Sequence, residues 1–366
     1  MIQPARLKKL LQRLVNIYSP SGKEEDILEY LRGYLKRRNL SVSAQPVDEN
    51  RYNLIVAPPS TDLRLALIGH VDTVSAYDLE NYGYAEQDDV VSGLGTADMK
   101  GGCAAMVEAW LSLHESGSSA LPGALCLVVG EEESGDGAEK LMKDYHFPWA
   151  VIGEPTGLVP CLKSFGYLEC QITAMGKRRH ASLASPQDSA IEVLLNKVLQ
   201  ITHYMSHSRA ELVYNIRDLF STRAGFAVPE RCEAWLDIHT PPQAPLGTII
   251  TELEEVVTQG PGADSGIEVV FRPVTIDAGY ELPEKGQAVE ALQQTYARHG
   301  LLWATDAFRS HSDANQIWAA GTKPILLGPG QLEQAHSEDE AVSFEQVCLA
   351  AQIYLDFMRE FFATTA

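Results

Sequence analysis

Residues able to bind a cation stand in five segments of this chain: His70 in L-I-G-H-V-D-T-V, Asp98 in G-L-G-T-A-D-M-K-G-G, Glu133 in V-V-G-E-E-E-S-G-D-G, Glu154 in V-I-G-E-P-T and His336 in A-H-S-E-D-E. Imidazole and carboxylate donors without a thiolate suit zinc, cobalt or manganese. A carboxylate shared by two cations about 3.5–4 Å apart lets both act on one water and one carbonyl. With two further ligands for each ion, such a pair needs the five donors named here. Glu132, next to Glu133, is a spare carboxylate where a general base is needed. Asp72 follows His70 closely enough to hydrogen-bond its other ring nitrogen and fix the tautomer. In this order the residues read as the parts of a two-metal hydrolase.

Each piece alone is ambiguous. His-x-Asp recurs by chance, and the run Glu131-Glu132-Glu133 also suits an acidic cap at a helix N-terminus. Gly93-Leu94-Gly95 resembles the start of a dinucleotide loop, but Asp98 stands where the last glycine belongs. His203 and His207 lie four apart with Glu211 beyond, yet Tyr204 replaces the glutamate of a metalloprotease helix, so a solvated face is the better reading.

The elements around these residues explain how they meet. Leu63–Gly69, Ala124–Gly130, Trp149–Gly153 and Pro324–Gly328 are short apolar runs ending in glycine, as fully buried strands often do. Helical patterns over Gly102–His114, Gly137–Tyr145, Glu284–His299 and Ser343–Phe362 separate or follow them. Strand and helix in alternation predict an α/β sandwich with a mainly parallel sheet. Ligands in such sheets collect at the carboxyl ends of strands, where His70, the glutamate run and Glu154 stand. At the N-terminus, Leu7, Leu10, Leu11 and Leu14 share one helical face from Pro4 to about Tyr18. Ser21 with Glu24 reads as a capping box for the next helix.

The middle of the chain has another character. Leu162–Met175 and Gly266–Ile276 read as strands, and Ser189–Met205 and Leu246–Val257 as helices. Arg231–His239 alternates polar and apolar residues, the mark of an antiparallel sheet with one wet face. This predicts a smaller α+β domain inserted into the larger one.

At 366 residues two domains are expected. The formal charge, 29 − 49 = −20, argues against a nucleic-acid partner. No apolar run reaches the roughly 18 residues of a membrane helix. The basic residues of M-I-Q-P-A-R-L-K-K-L-L interrupt any signal-like stretch, so a cytoplasmic location is expected. The six cysteines form no C-x-x-C pair and read as buried free thiols in a reducing compartment.

Taken together, the motifs resemble the M20 family of dinuclear zinc peptidases and deacylases, in particular its acetylornithine deacetylase, succinyl-diaminopimelate desuccinylase and lysine-carrier hydrolase branch. The likeness runs from Ser19-Pro20-Ser21-Gly22 to Ala335-His336. It implies two divalent ions, zinc or in its place cobalt or manganese. One would be held by His70 and Glu154, the other by Glu133 and His336, with Asp98 bridging and Glu132 as general base. It implies a cis peptide between Asp98 and Met99. It further implies a catalytic domain of residues 1–163 and 274–366 and a lid of residues 164–273 that mediates homodimerisation. His180, in G-K-R-R-H-A-S, matches a lid histidine that reaches from the partner subunit to stabilise the oxyanion. Arg309, His311, Ser312 and Asp313 fall where the family borders its substrate.

Two positions depart from the pattern. Phe226 and His239 stand where many relatives carry an asparagine and an arginine that grip a substrate carboxylate, and histidine does not reproduce the bidentate arginine fork. This argues against a glutamate-type carboxypeptidase, while the short chain and the Ser19-Pro20-Ser21-Gly22 start resemble the deacetylase and lysine-carrier hydrolase branch. The expected activity is hydrolysis of the amide bond of an N-acyl amino acid, with a di- or tripeptidase or carboxypeptidase as the alternative. An inactive binding relative would have lost a ligand or the base, and none is missing.

Overall fold

The computed structural model describes residues 1–58, 62–117, 122–185, 189–259 and 266–363. The chain divides into two compact units. One comprises Met1–Lys163, Leu282–Phe308 and Ser312–Ala366, the other Ser164–Glu281 with Arg309–His311. The second unit runs past residue 273 because Glu268–Asp277 pairs along its whole length with Gly166–Met175.

In the first unit, Leu65–His70 lies between two parallel neighbours, Gly123–Val128 and Trp149–Ile152. Lys323–Leu326 continues the parallel set beyond Trp149–Ile152. Every residue of Leu65–His70 and of Gly123–Val128 is buried, as strands covered on both faces must be. On the other flank Tyr52–Val56 and Val42–Pro46 add antiparallel strands. Val42–Pro46 buries only Gln45, so no apolar pattern marks it in the sequence.

Helices pack on this sheet and on one another. Gly101–Glu115 packs against Phe344–Ala363, which in turn packs against Gln287–Arg298. Gly101–Glu115 is buried on nearly every side, which explains its apolar composition. The N-terminal helix, Pro4–Val15, buries Leu7, Leu10, Leu11 and Leu14 completely. Burial of each leucine contributes about 1.5–3 kcal/mol.

The expected capping box does not form. The second helix spans Glu25–Lys36 with no side-chain cap, and Ser21 instead donates to Asp72 Oδ2 at 2.7 Å. A hydrogen bond to a buried carboxylate is stronger than one to a helix amide, so the serine is drawn away. Glu24 is buried 3.6 Å from the Arg51 guanidinium.

The second unit is an antiparallel sheet in the order Val213–Ser221, Arg231–Thr240, Gly166–Met175, Glu268–Asp277. The strand expected over Leu162–Met175 is two, Cys161–Ser164 and Gly166–Met175. Alternate residues of the central strands face a core with Leu168, Ile172, Leu236 and Ile238, closed by the helices Ala190–Ser208 and Leu246–Gln259. All six cysteines are unpaired, five of them buried. Among the described residues no helix is long and apolar enough to cross a membrane.

Close backbone contact holds the carboxyl end of the parallel sheet. A Cβ on Gly102, in the first turn of Gly101–Glu115, would lie 2.2 Å from the Gly153 carbonyl oxygen, and so would one on Gly328. The helix start and two strand ends can meet there only because these positions lack side chains. Gly102→Ala is expected to lower stability by about 1–3 kcal/mol through overpacking. Urea unfolding measures this, and an unchanged midpoint would show that the strand end yields freely.

Candidate metal centre

His70 is the last residue of its strand, and Val71 N extends the ladder to Val128 O at 3.0 Å. The imidazole is buried. Its Nδ1 lies 3.1 Å from the Asp72 carbonyl oxygen and 3.6 Å from Asp72 Oδ1. Donation from Nδ1 to Asp72 leaves Nε2 facing Asp98, with Oδ1 at 3.1 Å. Asp72 Oδ2 accepts from Ser21 Oγ and from the Glu132 amide at 3.0 Å, so this carboxylate ties the His70 loop to the acidic turn.

Asp98 sits in the turn Thr96–Lys100 with an extended backbone, and the peptide bond to Met99 is cis. Its second oxygen, Oδ2, is 3.5 Å from His336 Nε2. One carboxylate therefore presents a separate oxygen to each histidine. His336 adopts a left-handed φ of 57°, uncommon for a side chain of this kind, and places Nε2 2.8 Å from Glu132 Oε2. Ligand atoms of His70, Asp98 and Glu132 all lie within 4.8 Å of one another.

The acidic run lies in a turn whose register the sequence does not reveal. The amides of Ser134 and Gly135 both return to the Gly130 carbonyl, at 3.0 and 2.7 Å. Asn53 braces both flanks, accepting from Val129 N and donating to the Gly137 carbonyl. In this turn Glu131 and Glu132 enter the cluster, and Glu133 is exposed. Glu133, expected as a ligand, is thus turned to solvent, and Glu132, expected as the general base, meets His336. Glu131 Oε2 is 3.9 Å from His70 Nε2, beyond hydrogen-bond distance. Glu154, after the strand Trp149–Ile152, is buried, and its Oε1 has no hydrogen-bond partner among the described residues.

The electrostatics are those of a cluster short of positive charge. Burial, reinforced by Asp98, pushes the Glu154 carboxyl well above its usual range. Burial does the same to Glu131, with the neighbouring Glu154, Glu132 and Asp313 adding to it against the pull of His70. Burial would lower His70, but hydrogen bonds to Asp72 and Asp98 hold it well above its usual value. Hydrogen bonds to Asp98 and Glu132 raise His336 in the same way. Burial would raise Asp98, but its bonds to His336 and His70 prevail and keep it low. Two imidazoles do not balance this many buried carboxylates, whereas divalent cations would. The donor types and the unpartnered Glu154 oxygen fit such ions.

Other expected residues take different places. Ser312 caps the short helix Asp313–Ala319, accepting from Ala314 N at 3.2 Å. Asp313 is buried, and its charge acts on Glu131 and Glu154. Arg309 is exposed, and His311 stacks on Tyr167 with ring centroids 4.0 Å apart, both within the second unit. His239 joins that stack, 5.5 Å from Tyr167, while Phe226 is 90% exposed. His180 is exposed beside Ser182, its Nδ1 2.8 Å from Oγ.

The family model for peptidase family M20/M25/M40 matches residues 66–360. A succinyl-diaminopimelate desuccinylase from Corynebacterium glutamicum is 30% identical, over 96% of this chain and 95% of the relative. An acetylornithine deacetylase from Edwardsiella ictaluri is 28% identical, over 87% of this chain and 86% of the relative. Among solved structures, a tripeptidase from Staphylococcus aureus shares the fold with a TM-score of 0.83 at 20% identity, over 99% of this chain and 100% of that one. With strand ends that gather imidazoles and carboxylates and a family match across most of its length, the chain belongs to peptidase family M20/M25/M40 and is a metal-dependent hydrolase.

Proposed function

We propose that the chain hydrolyses the amide bond of an N-acyl amino acid at a two-ion centre. His70 and Glu154 would hold one ion and Glu132 and His336 the other, Asp98 would be shared between them, and Glu131 is the general base. One observation carries the reading: the two Asp98 oxygens face different histidines, at 3.1 and 3.5 Å. Glu132 is engaged with His336, whereas Glu131 accepts no hydrogen bond among the described residues and remains available for proton transfer.

Divalent ions held by these residues would supply the acidity of a bound water and the polarisation of the amide carbonyl. The protein's own groups supply the rest. Asp72 holds His70 in one tautomer, and through the Glu132 amide it fixes the acidic turn. Glu131 takes the proton from the attacking water and returns it to the departing amine nitrogen. The desuccinylase and deacetylase relatives, aligned nearly end to end, support an acyl amino acid as substrate.

Full chelation is expected to abolish turnover and zinc or cobalt to restore it; turnover that survives metal removal would sink the scheme. The three adjacent glutamates should separate cleanly. Glu131→Gln retains its metal and loses about 10²–10⁴-fold in kcat. Glu132→Gln loses metal, and Glu133→Gln stays near wild type. Metal analysis with steady-state kinetics reads all three, and a Glu133→Gln chain that loses metal would restore the register expected from sequence. Across a panel of N-acetyl and N-succinyl amino acids, dipeptides and tripeptides, kcat/KM is expected to be highest for an acyl amino acid. A clear preference for peptides would overturn the substrate assignment and leave the metal centre standing.

A further inference from the structure

Glu340 lies four residues after His336 and is 3% exposed, yet its carboxylate does not join the acidic cluster. Oε1 accepts from the amides of Ala97 and Asp98 at 2.9 and 3.0 Å. Oε2 accepts from the Gly95 amide at 2.8 Å, and the Glu340 main-chain carbonyl accepts from Gly93 N at 3.1 Å. One residue thus holds the whole turn that presents Asp98. Gly95, with φ of 80°, lets successive amides converge on a single anion.

We propose that Glu340 is a positioning residue that sets Asp98 against His336. Glu340 precedes the strand Ala341–Ser343, whose antiparallel partner Val90–Ser92 leads into the Gly93–Asp98 turn. The pairing of Ala341 with Ser92 brings the carboxylate opposite the turn amides. His336 is on the same segment as Glu340. The loop that carries the bridging carboxylate and the loop that carries one histidine are therefore joined by a single side chain. Glu340 touches no reacting atom and acts through Asp98. The assignment rests on the two-ion reading above.

Glu340→Gln keeps the shape but replaces one accepting oxygen with an amide nitrogen that cannot accept from a backbone N–H. Ion content, affinity by chelator competition and the visible spectrum of the cobalt-loaded protein are compared with those of the wild type. The expected result is ion binding about 10–100-fold weaker and an altered cobalt spectrum, with the metal-free circular dichroism unchanged. Wild-type stoichiometry, affinity and spectrum in the variant would overturn the assignment. Should the variant not fold, hydrogen exchange on the metal-free wild type decides. The Gly95, Ala97 and Asp98 amides are expected to be protected, and open-loop exchange rates there would overturn it. A wild-type chain that binds fewer than two ions removes the two-ion reading and this assignment together. Two ions in the wild type with an unchanged variant removes this assignment alone.

Discussion

The crowding of carboxylates into a space that water scarcely reaches governs this molecule. Asp72, Asp98 and Glu154 are buried, and Glu131 and Glu132 join the same cluster. Such a cluster is costly without compensation. The protein provides part of it through His70, His336 and amide donors, and the remainder is left for cations. Much of the local architecture can be read as a frame that keeps these charges in place.

That frame has two components. The first is the parallel sheet, whose strands end together and deliver His70, the acidic turn and Glu154 to one edge. Contacts at Gly102, Gly153 and Gly328 stop those ends from spreading. The second is a set of polar braces behind the ligands. Asp72 links Ser21, His70 and the Glu132 amide, Asn53 grips both sides of the acidic turn, and Arg51 reaches Asp136 at its far end. The turn amides they meet have no ladder partner and donate instead to a nearby side-chain oxygen, that of Asp72 from a loop and that of Asn53 from the strand Tyr52–Val56.

The strand ends were legible in the sequence because buried parallel strands are written as unbroken apolar runs, and the residue after each run is fixed to within a position. That tolerance matters most at the glutamates. Three identical neighbours carry identical chemistry, and only the hydrogen bonds to the Gly130 carbonyl decide which of them face inward. The strand Val213–Ser221 escaped for a different reason, since it lies at a sheet edge with most of its side chains in solvent. Glu340 gave no signal because its partners are main-chain amides, which every residue has. Ser21 and Glu24 gave a misleading one: they fit a cap in spacing, but a buried aspartate competed for the serine.

The two imidazoles differ sharply in their access to water. The His70 side chain is 1% exposed and that of His336 52%. In the proposed arrangement this makes the ions unequal in lifetime, since ligand exchange begins where solvent can enter. The ion beside His336 would leave first on dilution or mild chelation, and the ion beside His70 would stay. Depletion would then pass through a singly loaded form, and a preparation's measured metal content would reflect its handling as well as its chemistry.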